Sequence, residues 1–131
     1  MNILLDTHAL IWFFEGNNKL SEKAKKEVQN PKNTIFVSVV SFWEIAIKIS
    51  IDKLEMDLSM EELQKLIWKN GIQIIPIKIE HTFLLRTLPY YHKDPFDRLL
   101  FVQSLSENMG LISCDKIFDE YMENSDINRI W

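Results

Sequence analysis

One cysteine in 131 residues, Cys114, leaves no intramolecular disulfide to form and fits a reducing, cytoplasmic compartment. At the end of an apolar run it reads as a small apolar filler. No apolar stretch approaches the roughly 18 residues that a membrane span needs, so no membrane partner is expected. Met1-Asn2 passes directly into Ile3-Leu4-Leu5-Asp6 without a basic region, which argues against a signal peptide. Only three glycines and four prolines occur, with no repeat and no low-complexity stretch, so there is little room for a linker. Residues 1–131 are expected to form a single domain. An excess of positive charge is also missing: the net charge of −4 argues against a protein held on nucleic acid by bulk charge. A nucleic-acid substrate stays open all the same, because two divalent cations would cancel four clustered carboxylates and local basic residues would hold phosphates.

What is present is an ordinary globular composition, 47% hydrophobic and 26% charged, cut into short alternating elements. Ile3–Leu5 reads as a buried strand, followed by an apolar helix over about 8–14 that stops at Gly16. Ser21 caps a Lys/Glu-rich helix ending before Pro31, and the β-branched Ile35–Val39 is the second strand. Ser41-x-x-Glu44 and Ser59-x-x-Glu62 are capping-box patterns that open helices to about Ile51 and Asn70. Past Gly71, Ile72–Ile77 is the third strand, with a short helix over about 80–88 after it. Asp94-Pro95 supplies an N-cap and an N1 proline for a helix ending at Met109-Gly110, with Gly110 as its C′ residue. Leu111–Ser113 is the fourth strand, a short helix follows Asp115, and Ile127–Ile130 is a candidate fifth strand. Strands alternating with helices predict an α/β fold: a parallel sheet of four to five strands, reached by right-handed crossovers and covered on both faces.

Four acids sit where those elements meet. Asp6 closes the first strand, Asp115 follows the fourth, Glu44 lies at the start of the helix leaving the second, and Asp97 opens the helix that runs back antiparallel to the fourth. All four therefore converge on the carboxyl edge of the sheet, where open α/β folds bind their ligands. Two carboxylates about 4 Å apart repel by roughly 4 kcal/mol at an effective dielectric near 20, so the cluster demands cations. A ligand set of carboxylates alone suits Mg²⁺ or Mn²⁺ rather than Zn²⁺.

Each acid also has a structural reading. Asp6 is a possible N-cap for the helix from Thr7, Glu44 is the N3 partner of a capping box, Asp97 sits at N3 beside the helix dipole, and Asp115 is a possible cap. Taken singly these suffice; they do not explain why all four face one crevice. Asp94 is a peripheral fifth metal candidate whose role as N-cap is already sufficient. Thr7 and Ser41 are candidates to position metal-bound water and are equally plausible caps. Lys48, Lys93, Arg98 and Lys116 are the basic residues next to the acids and candidates for phosphate contact; Lys48, four residues after Glu44, also reads as its ion-pair partner. His8, His81 and His92 share no metal-ligand spacing and read as structural or solvent-facing. Leu10-Ile11-Trp12-Phe13-Phe14 reads as core, part of it as a candidate interface. A receiver-like phosphoacceptor domain is disfavoured, because Thr7 and His8 stand where a second acid belongs.

With these residues in place the chain resembles PIN-domain proteins of the VapC toxin type. The segments that carry the likeness are Leu5-Asp6-Thr7-His8-Ala9-Leu10-Ile11-Trp12, Ser38-Val39-Val40-Ser41-Phe42-Trp43-Glu44-Ile45-Ala46-Ile47-Lys48, His92-Lys93-Asp94-Pro95-Phe96-Asp97-Arg98 and Leu111-Ile112-Ser113-Cys114-Asp115. They occur in family order over essentially the whole chain. The resemblance implies a three-layer α/β/α fold and Mg²⁺- or Mn²⁺-dependent endoribonuclease activity. It assigns the acidic quartet to Asp6, Glu44, Asp97 and Asp115, with Thr7 beside it. It further implies an RNA substrate, a cognate antitoxin that obstructs the site, and a homodimer. Ser113-Cys114 departs from the expected Thr and polar or basic pair, which makes Asp115 the least secure member. A non-toxin RNA-processing nuclease and a non-catalytic PIN-like interaction module are the alternatives.

Overall fold

The first strand, β1 (Asn2–Leu5), is aliphatic after its first residue because both its faces are covered. The computed structural model describes residues 1–131 and adds β2 (Thr34–Ser38), β3 (Gln73–Ile75), β4 (Gly110–Ile112) and β5 (Arg129–Ile130). All pair in parallel, in the order β3-β2-β1-β4-β5, with Leu4 opposite Phe36 on one side and Leu111 on the other. The helices are α1 (Thr7–Glu15), α2 (Glu22–Gln29), α3 (Val39–Ser50), α4 (Met60–Lys69), α5 (Ile79–Leu85), α6 (Pro95–Ser106) and α7 (Ile117–Met122).

Strand alternation splits the core into two layers. Ile3, Leu5, Ile35, Val37 and Ile112 pack with Ala9, Leu10 and Ile11 of α1, Ala24 of α2, and Leu63 and Ile67 of α4. Leu4 and Leu111 pack with Leu99 to Val102 of α6 and with Phe118, Tyr121 and Met122 of α7. The fold is therefore a three-layer α/β/α sandwich with five strands. Leu10 and Ile11 are core residues, whereas Trp12, Phe13 and Phe14 pack against that core half-buried. Burying one Leu or Ile fully is worth roughly 1.5–3 kcal/mol, so two well-filled layers tolerate a few repelling carboxylates at their edge.

Three local readings of the sequence are corrected, and the first bears on the acids. Helix α3 starts at Val39, capped by Ser38, whose hydroxyl accepts from the Val40 N–H at 3.0 Å and donates to the buried Gln103 of α6. No capping box forms at Ser41 and Glu44; both lie inside the helix, Glu44 in its second turn. Helix α6 ends at Ser106, with Asn108 rather than Gly110 taking the left-handed conformation (φ 53°). Gly110 instead opens β4, where a Cβ would meet Ile130 Cδ1 at 3.3 Å, so a side chain there would have to displace the end of Ile130 on β5. The third strand stops at Ile75 because Pro76 has no N–H to continue the ladder.

Candidate active site

In this strand order β1 lies between β2, which it precedes directly, and β4, which returns from the far side of the fold, so a crevice opens at the carboxyl ends of β1 and β4. The Asp6 N–H donates to Ile112 O at 3.0 Å, which pins the residue after β1 to the end of β4. Asp6 is buried and caps α1 through Oδ1, which accepts from the Ala9 N–H at 2.8 Å. Beside it the Thr7 hydroxyl donates to Ser41 Oγ at 2.9 Å, a buried pair that ties α1 to α3.

Glu44 is 2% exposed. Its Oε2 accepts from Lys48 Nζ at 2.6 Å, while its Oε1 is buried with no hydrogen-bond partner. With the capping box gone, no local backbone need explains a carboxylate there. Asp94 does cap α6: its Oδ1 accepts from the N–H groups of Phe96 and Asp97 at 2.8 and 3.1 Å. That leaves Asp97, at the third helical position, free of any capping duty. Asp115 forms a turn of its own, Oδ1 accepting from the Ile117 N–H at 3.0 Å, and its Oδ2 is directed at His92.

The electrostatics single out Asp97. Burial first, then the charges of Asp94, Asp6, Glu44 and Asp115, push its pKa up to about 8. Asp6 is raised as well, chiefly by burial, against the opposing hydrogen bonds of the Ser113 hydroxyl and the Ala9 N–H. Burial works against the Lys48 ammonium, but its hydrogen bond to Glu44 and the charges of Glu44, Asp94 and Asp97 outweigh that and raise its pKa. Four acids from four segments thus act on one another across one crevice, with Asp94 beside them. A cluster of carboxylates with one buried oxygen, Glu44 Oε1, left unmatched fits Mg²⁺ or Mn²⁺.

His92 and Ser113 were not legible as site residues. His92 Nε2 lies 2.7 Å from Asp115 Oδ2 and 3.0 Å from Asp97 Oδ2, and these three residues have ligand atoms within 4.8 Å of one another. The only signal in the sequence was its place two residues before the Asp94 cap. By contrast, His81 is buried against Glu107 on α5 and α6, away from the crevice, and His8 is exposed against Trp12.

Among the basic candidates, Lys93 and Lys116 are exposed beside the acids, and Lys48 faces Glu44. Arg98 is corrected: it is 5% exposed, and its guanidinium donates to the carbonyls of Leu85, Leu88, Pro89 and His92 and to the Tyr121 hydroxyl, with Tyr90 stacked 3.9 Å away. Its two terminal nitrogens are spent on bracing the segment that leads into α6 rather than turned toward the acids. Arg98→Leu is expected to destabilise the fold by about 3 kcal/mol or more, since it leaves buried carbonyls without donors; an unchanged urea midpoint would show that the brace carries no stability.

Size alone would misplace the site. The largest cavity, about 610 Å³, lies at the opposite, amino ends of β2 and β3, and no titratable residue lines it.

The PIN domain family profile matches residues 3–124. No curated protein matches. Among solved structures, VapBC2 from Rickettsia felis bound to a promoter DNA fragment superposes with a TM-score of 0.66 at 19% identity, covering 100% of both chains. A toxin–antitoxin complex from Klebsiella pneumoniae gives 0.57 at 21% identity, over 88% of this chain and 89% of that one. FitAcB from Neisseria gonorrhoeae gives 0.52 at 12% identity, over 97% and 95%. At these identities the likeness is one of fold, and it agrees with a profile match that takes in all four acids: this chain belongs to the PIN-domain family.

Proposed function

We propose that the protein is a metal-dependent endoribonuclease of the VapC type, the toxin half of a cytoplasmic toxin–antitoxin pair. The observation that carries this reading is the buried, unpartnered Oε1 of Glu44 beside a carboxyl, Asp97, whose pKa burial and then its acidic neighbours push up to about 8. Once its carboxyls are ionised, such a site is relieved by a bound cation. Asp6, Glu44, Asp97 and Asp115 would hold one or two Mg²⁺ or Mn²⁺ ions, with Asp94 at the margin. Bound there, a divalent ion supplies the acidified water and the charge neutralisation that in-line hydrolysis of a phosphodiester needs.

The residues around the acids divide the remaining work. Thr7 and Ser41 fix α1 against α3 and so set the distance between Asp6 and Glu44. Lys93 and Lys116, exposed at the rim, hold the phosphates that flank the scissile bond. Lys48 keeps one positive charge against Glu44. The antitoxin partner is supported by the toxin–antitoxin complexes among the structural relatives. The homodimer is supported by exposed apolar side chains, with Val39, Trp43 and Ile47 spaced along one face of α3.

The test is cleavage of end-labelled RNA with Mg²⁺, with Mn²⁺ and with chelator. Cleavage is expected only with metal and is expected to leave 5′-phosphate and 3′-hydroxyl ends, because water attacks. Products ending in 2′,3′-cyclic phosphate, or cleavage undiminished by chelator, would overturn the mechanism; metal binding without cleavage of RNA or DNA would favour the interaction-module alternative.

A further inference from the structure

We infer that His92 is a positioning residue of the acidic site: its imidazole carries its proton on Nε2, donates it to Asp115, and so holds Asp115 against Asp97, rather than offering Nε2 as a metal ligand. This rests on the reading of the crevice as a cation site, although the first part of its test does not.

The proton's place follows from a neighbour that can only donate. The backbone N–H of Asp94 is 3.1 Å from His92 Nδ1. An amide nitrogen has no lone pair to offer, so Nδ1 must present its own. A neutral imidazole has one N–H and one lone pair, which leaves the proton on Nε2. The surroundings of Nε2 agree: its nearer neighbour is a carboxylate oxygen, Asp115 Oδ2 at 2.7 Å, with Asp97 Oδ2 beyond it at 3.0 Å. To ligate a metal through Nε2 the ring would have to carry its proton on Nδ1, where that proton would collide with the Asp94 N–H. The three-residue cluster of His92, Asp97 and Asp115 therefore contains two ligands and a donor.

The backbone that carries the ring is held as well. The His92 N–H donates to the Tyr121 hydroxyl at 2.9 Å, that hydroxyl donates to Pro89 O at 2.6 Å, and Arg98 Nη1 reaches His92 O at 3.4 Å. The ring itself lies against Phe118, with centroids 5.6 Å apart. Asp94 is in turn fixed as the N-cap of α6. One helix start thus presents Asp97 and, through Asp94, dictates which nitrogen of His92 faces it.

The consequence falls on Asp115. Its side chain is one-third exposed and sits on the short link between β4 and α7, where repulsion from Asp97 would turn it toward solvent. The His92 donor opposes that turn. Partners of this kind, which orient a metal's ligands without touching the metal, typically affect metal affinity 10- to 100-fold.

Imidazole ¹⁵N NMR on the full-length, ¹⁵N-labelled protein tests the inference, first without metal and then with saturating Mg²⁺, which is diamagnetic. His92→Gln identifies the His92 signals by their loss. The expected result is a pyrrole-type Nε2 and a pyridine-type Nδ1 in both states. A pyridine-type Nε2 in either state would overturn the proposal. Calorimetric titration then separates positioning from bulk: His92→Leu is expected to weaken Mg²⁺ binding at least tenfold, and His92→Gln, whose amide keeps a donor, to recover most of it. Wild-type affinity in a folded His92→Leu would also overturn the proposal. If His92→Leu does not fold, the tautomer in the wild type decides. If the wild type binds no Mg²⁺, the metal-nuclease reading fails, while the metal-free tautomer still decides whether His92 is a donor.

Discussion

Asp97→Asn is expected to abolish metal-dependent cleavage and at the same time to raise the melting temperature of the metal-free protein. Both effects come from one circumstance. Asp97 is half-buried among four other carboxyl groups, and its pKa stands near 8. Removing its charge relieves repulsion from Asp94, Asp6, Glu44 and Asp115, while the capping bonds of α6 stay intact because Asp94 makes them. One pKa unit corresponds to about 1.4 kcal/mol, so a gain on the order of 2 kcal/mol near pH 8 is a moderate share of a shift of this size. Activity is expected to fall by more than about 100-fold, the upper end of what losing even an indirect partner of a metal costs. Paired melting curves and RNA-cleavage rates check this. A mutant that melts lower and still cleaves would reduce Asp97 to a favourable charge at a helix start.

The second large effect is a stability profile that slopes the unusual way. Without metal, the folded protein is expected to lose stability as pH rises from about 4 to about 8. The ordinary pKa of an aspartate is 3.8 and that of folded Asp97 about 8. Between those values the folded chain holds a proton that the unfolded chain has released, and unfolding free energy therefore falls as pH increases. Below the interval both states are protonated, and above it neither is. Asp6, raised as well, adds to the same slope. Glu107 and Asp119 do not mask it: their pKa values are lowered, by the Lys78 and Arg129 hydrogen bonds first, so their contributions disappear only in more acidic solution. Added Mg²⁺ should reverse the trend, since only deprotonated carboxylates bind it. Melting temperatures from pH 5 to 8.5, with chelator and with Mg²⁺, measure both slopes. An Asp97→Asn curve as steep as the wild type would refute the assignment.

Most of the architecture was legible because its signals are local. Gly16 at φ 64° ends α1, Ser21 and Ser59 cap α2 and α4, and Asp94-Pro95 opens α6, all within reach of a few neighbouring side chains. The convergence of the acids was legible too, from strand-helix alternation alone. What failed depended on contacts across the fold. The start of α3 is decided by Ser38 reaching Gln103, 65 residues away, so the nearer Ser41-x-x-Glu44 pattern misled. Arg98 reads as a surface base beside an acid, yet it is buried by carbonyls from a loop with no regular pattern. His92 was invisible because its role depends on a tautomer, and the tautomer on a backbone amide two residues ahead.

The pairing of Lys48 with Glu44 gives the crevice a property of its own. The ammonium is tethered one helical turn from the carboxylate, so dilution cannot remove it and no chelator can strip it out. A divalent ion drawn to Glu44 does not enter a vacancy; it exchanges with a resident competitor whose local concentration the helix holds constant. On the proposed reading, such a competitor lowers the apparent affinity of the crevice for metal by a constant factor, and the chain's own charge tunes how much free metal the site needs.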